Sequence, residues 1–142
     1  MKIKMKFKGQ FSIIITALLF LVTTSKLLAQ ATTTELKAFK IIVEKTDNGI
    51  KMQCEKGSAW IKLSFTLNIH QSQAIDEYGM TKLKNVKENK DENLADYLFV
   101  ITKTKSGIEL KGIEGTAWTE LKFSLANNKR QAIDQFGMTN LN

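Results

Sequence analysis

A mainly β fold is predicted by three observations: apolar residues that alternate with period two, a gapless internal duplication, and short turns in a chain with no proline. Two tandem meander-like repeats of three to four strands, packed as one pseudo-symmetric sandwich or barrel, satisfy all three. An N-terminal signal helix is expected to precede them.

The duplication has an offset of 58 residues and pairs 36–83 with 94–141, with 19 identities over 48 positions. Gly49 matches Gly107, Trp60 matches Trp118, and Gln73 to Asp76 match Gln131 to Asp134. Between the repeats lies KNVKENKDEN at 84–93, a polar run that reads as a solvated linker.

In the first strand of each repeat Phe39, Ile41 and Val43 form one apolar face, as Tyr97, Phe99 and Ile101 do in the second. The following Asp47-Asn48-Gly49 and Lys105-Ser106-Gly107 predict primed hairpin turns, which need residues tolerant of positive φ. A second strand carries Ile50, Met52 and Cys54 inward, matched by Ile108, Leu110 and Gly112. Leu63, Phe65 and Leu67 mark a third, repeated by Leu121, Phe123 and Leu125. Trp60 and Trp118 fall out of phase with these rows, which places them at a bulge or over the opposite face. The spacing of three from Ile75 to Tyr78 fits either a short helical turn ended by Gly79 or a bulged fourth strand, with the strand preferred. One repeat alone is too small to be more than marginally stable, so a single cooperative domain is expected.

Ahead of the repeats, four lysines at positions 2, 4, 6 and 8 lead into the apolar run FSIIITALLFLV and then into small and polar residues. This is the order of a cleavable secretory signal peptide at 1–31, with cleavage expected after Ala31 or Gln30. The apolar run of 12 residues is short for a membrane span. The expectation is an exported chain, periplasmic or extracellular, with a single β-rich domain at 32–142 and no stable membrane anchor after cleavage. Five of the 21 basic residues and none of the 14 acidic ones lie in 1–31, which leaves 16 basic against 14 acidic in the remainder. That mixed surface argues against nucleic-acid binding.

The chain is poor in catalytic groups. Its one histidine, His70, lies in a turn and aligns with Asn128, and its one cysteine, Cys54, lies on the inward face. No catalytic residue, metal site or cofactor is assigned. The candidates that remain are Asp76 and Asp134, a repeated carboxylate pair able to serve as ligands or to bond local turn amides, and Trp60 and Trp118, able to stack on a sugar or to plug the core.

The W-x-x-L-x-F-x-L pattern at Trp60–Leu67 and Trp118–Leu125, with QAID-x-aromatic-GM at Gln73–Met80 and Gln131–Met138, resembles small exported bacterial proteins with no assigned function. The resemblance covers nearly all of the chain beyond residue 31. It implies export and a β-rich fold, and it carries no site residues. Three functions are therefore weighed: a non-enzymatic β-module that binds a partner protein or cell-envelope component; a small hydrolase or lyase built on the two aspartates; and an assembly subunit that pairs through its edge strands.

Overall fold

The computed structural model describes residues 35–84 and 90–142, and Leu36–Asn142 form one compact unit. The signal-peptide reading and the middle of the linker lie outside the described residues. The described flanks of the linker are solvent-facing, and Lys90 pairs there with Asp96 and Glu114.

The described residues hold ten strands and no helix. The first repeat contributes β1 (Lys40–Lys45), β2 (Gly49–Lys56), β3 (Lys62–Thr66), β4 (Ser72–Asp76) and β5 (Gly79–Thr81). The second contributes β6 (Leu98–Lys103), β7 (Gly107–Glu114), β8 (Glu120–Ser124), β9 (Arg130–Asp134) and β10 (Gly137–Thr139). The expected seven or eight strands become ten because QAID-x-aromatic-GM folds as a two-stranded hairpin. It is neither a helical turn nor one bulged strand. Asp76 pairs with Gly79 and Asp134 with Gly137, and these glycines take φ of 125° and 137°. The three-residue spacing that suggested a helix crosses a turn, so it reports no periodicity.

The two antiparallel sheets do not correspond to the two repeats. One sheet runs β10-β9-β1-β2-β3 and the other β5-β4-β6-β7-β8. Each repeat keeps its three-stranded meander and hands its terminal hairpin to the meander of the other. Thus β9 pairs along β1 from Lys40↔Asp134 to Glu44↔Arg130, and β4 pairs along β6 from Asp76↔Leu98 to Ser72↔Thr102. Among the described residues each sheet ends in two edge strands with no further strand beside them, and neither sheet closes into a barrel.

The inward rows of both sheets form one core, as alternation predicts. Phe39, Ile41, Val43, Ile50 and Met52 pack with Tyr97, Phe99, Ile101, Ile108 and Leu110, and each hairpin adds its isoleucine, Ile75 or Ile133. Phe39 and Tyr97, at equivalent positions of the repeats, meet with ring centroids 4.6 Å apart. The aromatic run continues from Tyr97 to Phe99 at 5.6 Å and from Phe99 to Trp118 at 6.0 Å. Cys54 is buried in this core, with Sγ 3.1 Å from the Lys56 carbonyl.

Tyr97 is fully buried with its Oη 2.7 Å from Ser58 Oγ, and burial pushes its phenol well above the ordinary value of 10.0. The fold therefore holds the neutral form. Stability from this group is complete below pH ~10 and is lost as pH rises above the value at which the unfolded chain ionises. Phe39 occupies the equivalent site, so Tyr97→Phe is expected to fold, at a cost of about 1 kcal/mol near neutrality for the lost hydrogen bond. In urea denaturation the gap between wild type and Tyr97→Phe should narrow as pH is raised above 10. A gap that is constant or widening contradicts this.

The β1–β2 and β6–β7 connections differ from the primed turns expected. None of Asp47, Asn48 and Gly49, nor of Lys105, Ser106 and Gly107, has positive φ. Instead the Thr46 hydroxyl accepts from Gly49 N at 3.0 Å, and Thr104 accepts from Gly107 N at 2.9 Å. Glycine is required for close approach: a Cβ at Gly49 or Gly107 would lie 2.0 Å from the carbonyl oxygen of Phe65 or Phe123 on the next strand.

Candidate functional site

The structure places each sequence candidate at a joint between the sheets. Trp60, just before β3, donates its indole N–H to the Asp76 carbonyl at 3.0 Å, and Trp118 does the same to Asp134 at 3.0 Å. Both rings are buried, and neither offers its face to solvent as a sugar platform. The peptide N–H groups of Ala59 and Ala117 donate to the Glu77 and Gln135 carbonyls at 2.8 Å each, which ties the same loop to the same hairpin twice. The tryptophans are thus core plugs that lock each hairpin of one sheet onto the β3 or β8 end of the other. They lie at no bulge: the register shifts fall at Lys40/Ile41 and Leu98/Phe99.

Asp76 and Asp134 lie in different sheets, and each is engaged by its own turn. Asp76 Oδ1 accepts from Tyr78 N at 2.8 Å and Gly79 N at 3.1 Å; Asp134 Oδ1 accepts from Phe136 N at 2.7 Å and Gly137 N at 3.1 Å. This is the local amide-capping role of aspartate in a tight turn. Gln73 and Gln131 close the open end of each hairpin, donating through Nε2 to the Thr81 and Thr139 carbonyls at 3.1 and 3.0 Å. Among the described residues, no group of three or more histidine, cysteine, aspartate or glutamate side chains is placed to hold a metal. Asp76→Ala is expected to cost about 2 kcal/mol, because one buried and one part-buried amide lose their acceptor, and the more exposed Asp134→Ala about 1 kcal/mol. Urea denaturation of each variant checks this. Unchanged stability would remove the capping role.

A pair that composition alone does not single out is Lys45 and Lys103. Both are buried, at 4% exposure each, and each reaches into the other repeat: Lys45 Nζ donates to the Lys105 carbonyl at 2.7 Å and Lys103 Nζ to the Asp47 carbonyl at 2.6 Å. The backbone there is tied reciprocally. Asn128 N donates to the Lys45 carbonyl at 2.6 Å and His70 N to the Lys103 carbonyl at 2.7 Å. His70 and Asn128 have φ of 67° and 62°, so their shared role is to turn the chain from one sheet to the other. Two signals in the sequence mark the lysines: they continue the inward rows 39, 41, 43 and 97, 99, 101, and they are identical in both repeats.

Architecture therefore accounts for the repeated lysines, tryptophans, aspartates, glutamines and inward isoleucines. Three repeated apolar positions stand outside that account. Tyr78 and Phe136 are 49% and 70% exposed, Met80 and Met138 50% and 52%, and Leu83 and Leu141 57% and 41%. Each trio lies at the tip and outer edge of an exchanged hairpin. The other large exposed apolar residues behave differently, since Ile61 aligns with Thr119, Ile69 with Asn127, and Ile113 with Glu55. Exposed apolar residues off the hairpins have diverged to polar ones, and those on the hairpins have not. No sequence pattern alone reveals this, because identity in two repeats mixes what folding needs with what a surface needs until burial separates them.

Comparison of the chain with protein-family models, with curated proteins and with solved structures finds no match.

Proposed function

We propose that this is an exported, non-enzymatic β-module that binds a partner protein or cell-envelope component through its two hairpin surfaces. The observation that carries the reading is the pairing of exposure with repetition at Tyr78, Met80 and Leu83 and at Phe136, Met138 and Leu141. Each of these side chains keeps roughly half or more of its surface in water, which a partner can cover for a gain on the order of 1 kcal/mol per side chain. Aromatic and methionine side chains suit such a contact: the ring adds area at low entropic cost, and methionine adapts its shape. Each trio also flanks an edge strand, β5 or β10, which has one strand neighbour among the described residues. Two equivalent surfaces on one rigid chain favour a bivalent partner, for which the second contact is intramolecular. Export rests on the basic, apolar and small-residue order of residues 1–31.

The aspartate-based hydrolase or lyase loses its support, because each carboxylate is committed to the amides of its own turn. The test is capture of exported and envelope proteins on immobilised protein, followed by purified-partner titration. Tyr78→Ser with Met80→Ser should weaken binding by the avidity of the lost second contact, and adding Phe136→Ser with Met138→Ser should abolish binding. Full binding by the fourfold variant contradicts the proposal.

A further inference from the structure

The two sheets carry opposite solutions on their outer faces. On the first sheet the register sets Arg130 beside Glu44, Glu44 beside Lys51, and Lys62 beside Gln53 in the adjoining row. These residues line a cavity of about 410 Å³. Its floor includes Ile42, which points away from the core yet is only 5% exposed. Three cations face one carboxylate here, and no ion pair joins Lys51, Lys62 or Arg130 to another described residue.

The second sheet is an internal control. Its equivalent positions hold Glu109 for Lys51, Glu120 for Lys62, and Ser72 for Arg130. Lys122 bridges the two glutamates, at 3.8 Å from Glu109 and 2.9 Å from Glu120. The same strand framework therefore tolerates acidic residues with their charge satisfied internally. The basic set of the first sheet is not a requirement of the fold.

We infer that this outer-face cavity is a binding site for a small anionic amphiphile, a phosphate- or sulfate-type oxyanion carried on a short apolar group. The oxyanion sits among Lys51, Lys62 and Arg130, whose excess over Glu44 matches a dianion, and the apolar part lies over Ile42. The volume falls within the range of small-molecule sites. Arginine supplies the planar two-pronged donor that oxyanions favour, while the lysines add point charge. The lining includes none of the six exposed hairpin residues, so the inference does not depend on their role, although Arg130 stands on β9 of the second hairpin.

The test is titration of the purified protein with hexyl phosphate, inorganic phosphate and hexanol, followed by calorimetry and amide NMR. Hexyl phosphate should bind more tightly than inorganic phosphate, weaken as salt is raised, and shift the amides of Ile42, Lys51 and Lys62. Lys51→Glu with Lys62→Glu, which introduces the two glutamates of the second sheet, should weaken it by about tenfold or more while the amide spectrum stays dispersed. Arg130→Ser, copied from the same sheet, is the second variant and should act in the same direction. Equal affinity in both variants, equal binding of hexanol, or shifts spread equally over both sheets overturns the inference. Cosedimentation with phosphatidylglycerol vesicles that Lys51→Glu with Lys62→Glu removes assigns the oxyanion to a lipid headgroup. Binding of hexyl phosphate without cosedimentation assigns it to a free ligand.

Discussion

Residues 36–84 and residues 90–142, produced as separate chains at low concentration, are expected to be unfolded alone and to fold when mixed. In either fragment the central strand loses a full ladder, β1 from Lys40 to Glu44 or β6 from Leu98 to Thr102, because its neighbour comes from the other repeat. The fragment also exposes half of the shared core, including the Phe39 or Tyr97 ring whose partner is gone. A chain of about 50 residues has little core with which to offset either loss. Far-UV circular dichroism and amide dispersion of each fragment, and then of the mixture, read the result directly. A well-dispersed monomeric spectrum from one fragment would mean that its hairpin closes back on its own meander, contrary to the exchanged topology. At high concentration a single fragment is expected to form a homodimer by the same exchange, since each contains one meander and one hairpin.

Phe99→Ala has the largest expected effect of any single substitution. Phe99 is fully buried, stacks on Tyr97 and touches Trp118, so it joins the aromatic pair at the centre to the plug at one end. Truncating such a phenylalanine costs about 3–5 kcal/mol through lost transfer energy and a cavity that the two sheets cannot close. Domains of this size are stable by roughly 5–15 kcal/mol, so the variant should melt at least about 10 °C lower or fail to fold. A shift of only a few degrees would show that the aromatic run is not the centre of the core.

The strands of both meanders were legible because alternation depends only on which face is apolar. Phe39, Ile41 and Val43 point inward whichever strand lies beside them. The exchange of hairpins was not legible for the same reason: the pattern at Ala74-Ile75-Asp76 marks an inward isoleucine but does not say whether β1 or β6 is its neighbour. The choice is made by tertiary contacts distant in sequence, such as His70 N on the Lys103 carbonyl and the reach of Lys45 to Lys105. Gly49 and Gly107 misled in a different way, since a glycine after Asp-Asn or Lys-Ser suggests positive φ and here answers to the nearness of a carbonyl on the adjacent strand. The aspartates and tryptophans were found from their repetition. Their joint role, an indole on the carbonyl of the residue whose carboxylate caps the turn, needed the three-dimensional arrangement.

In the proposed function the repeated apolar residues of the hairpins serve a surface and not the fold. Its most direct test needs no partner: thermal and urea unfolding of the variant carrying Tyr78→Ser, Met80→Ser, Phe136→Ser and Met138→Ser. A single transition within about 2 kcal/mol of the wild type is expected, since exposed substitutions usually change stability by about half a kcal/mol each. A loss of about 5 kcal/mol or more, or an unfolded variant, would mean that folding itself preserves these residues, and the case for a binding surface would fall with it.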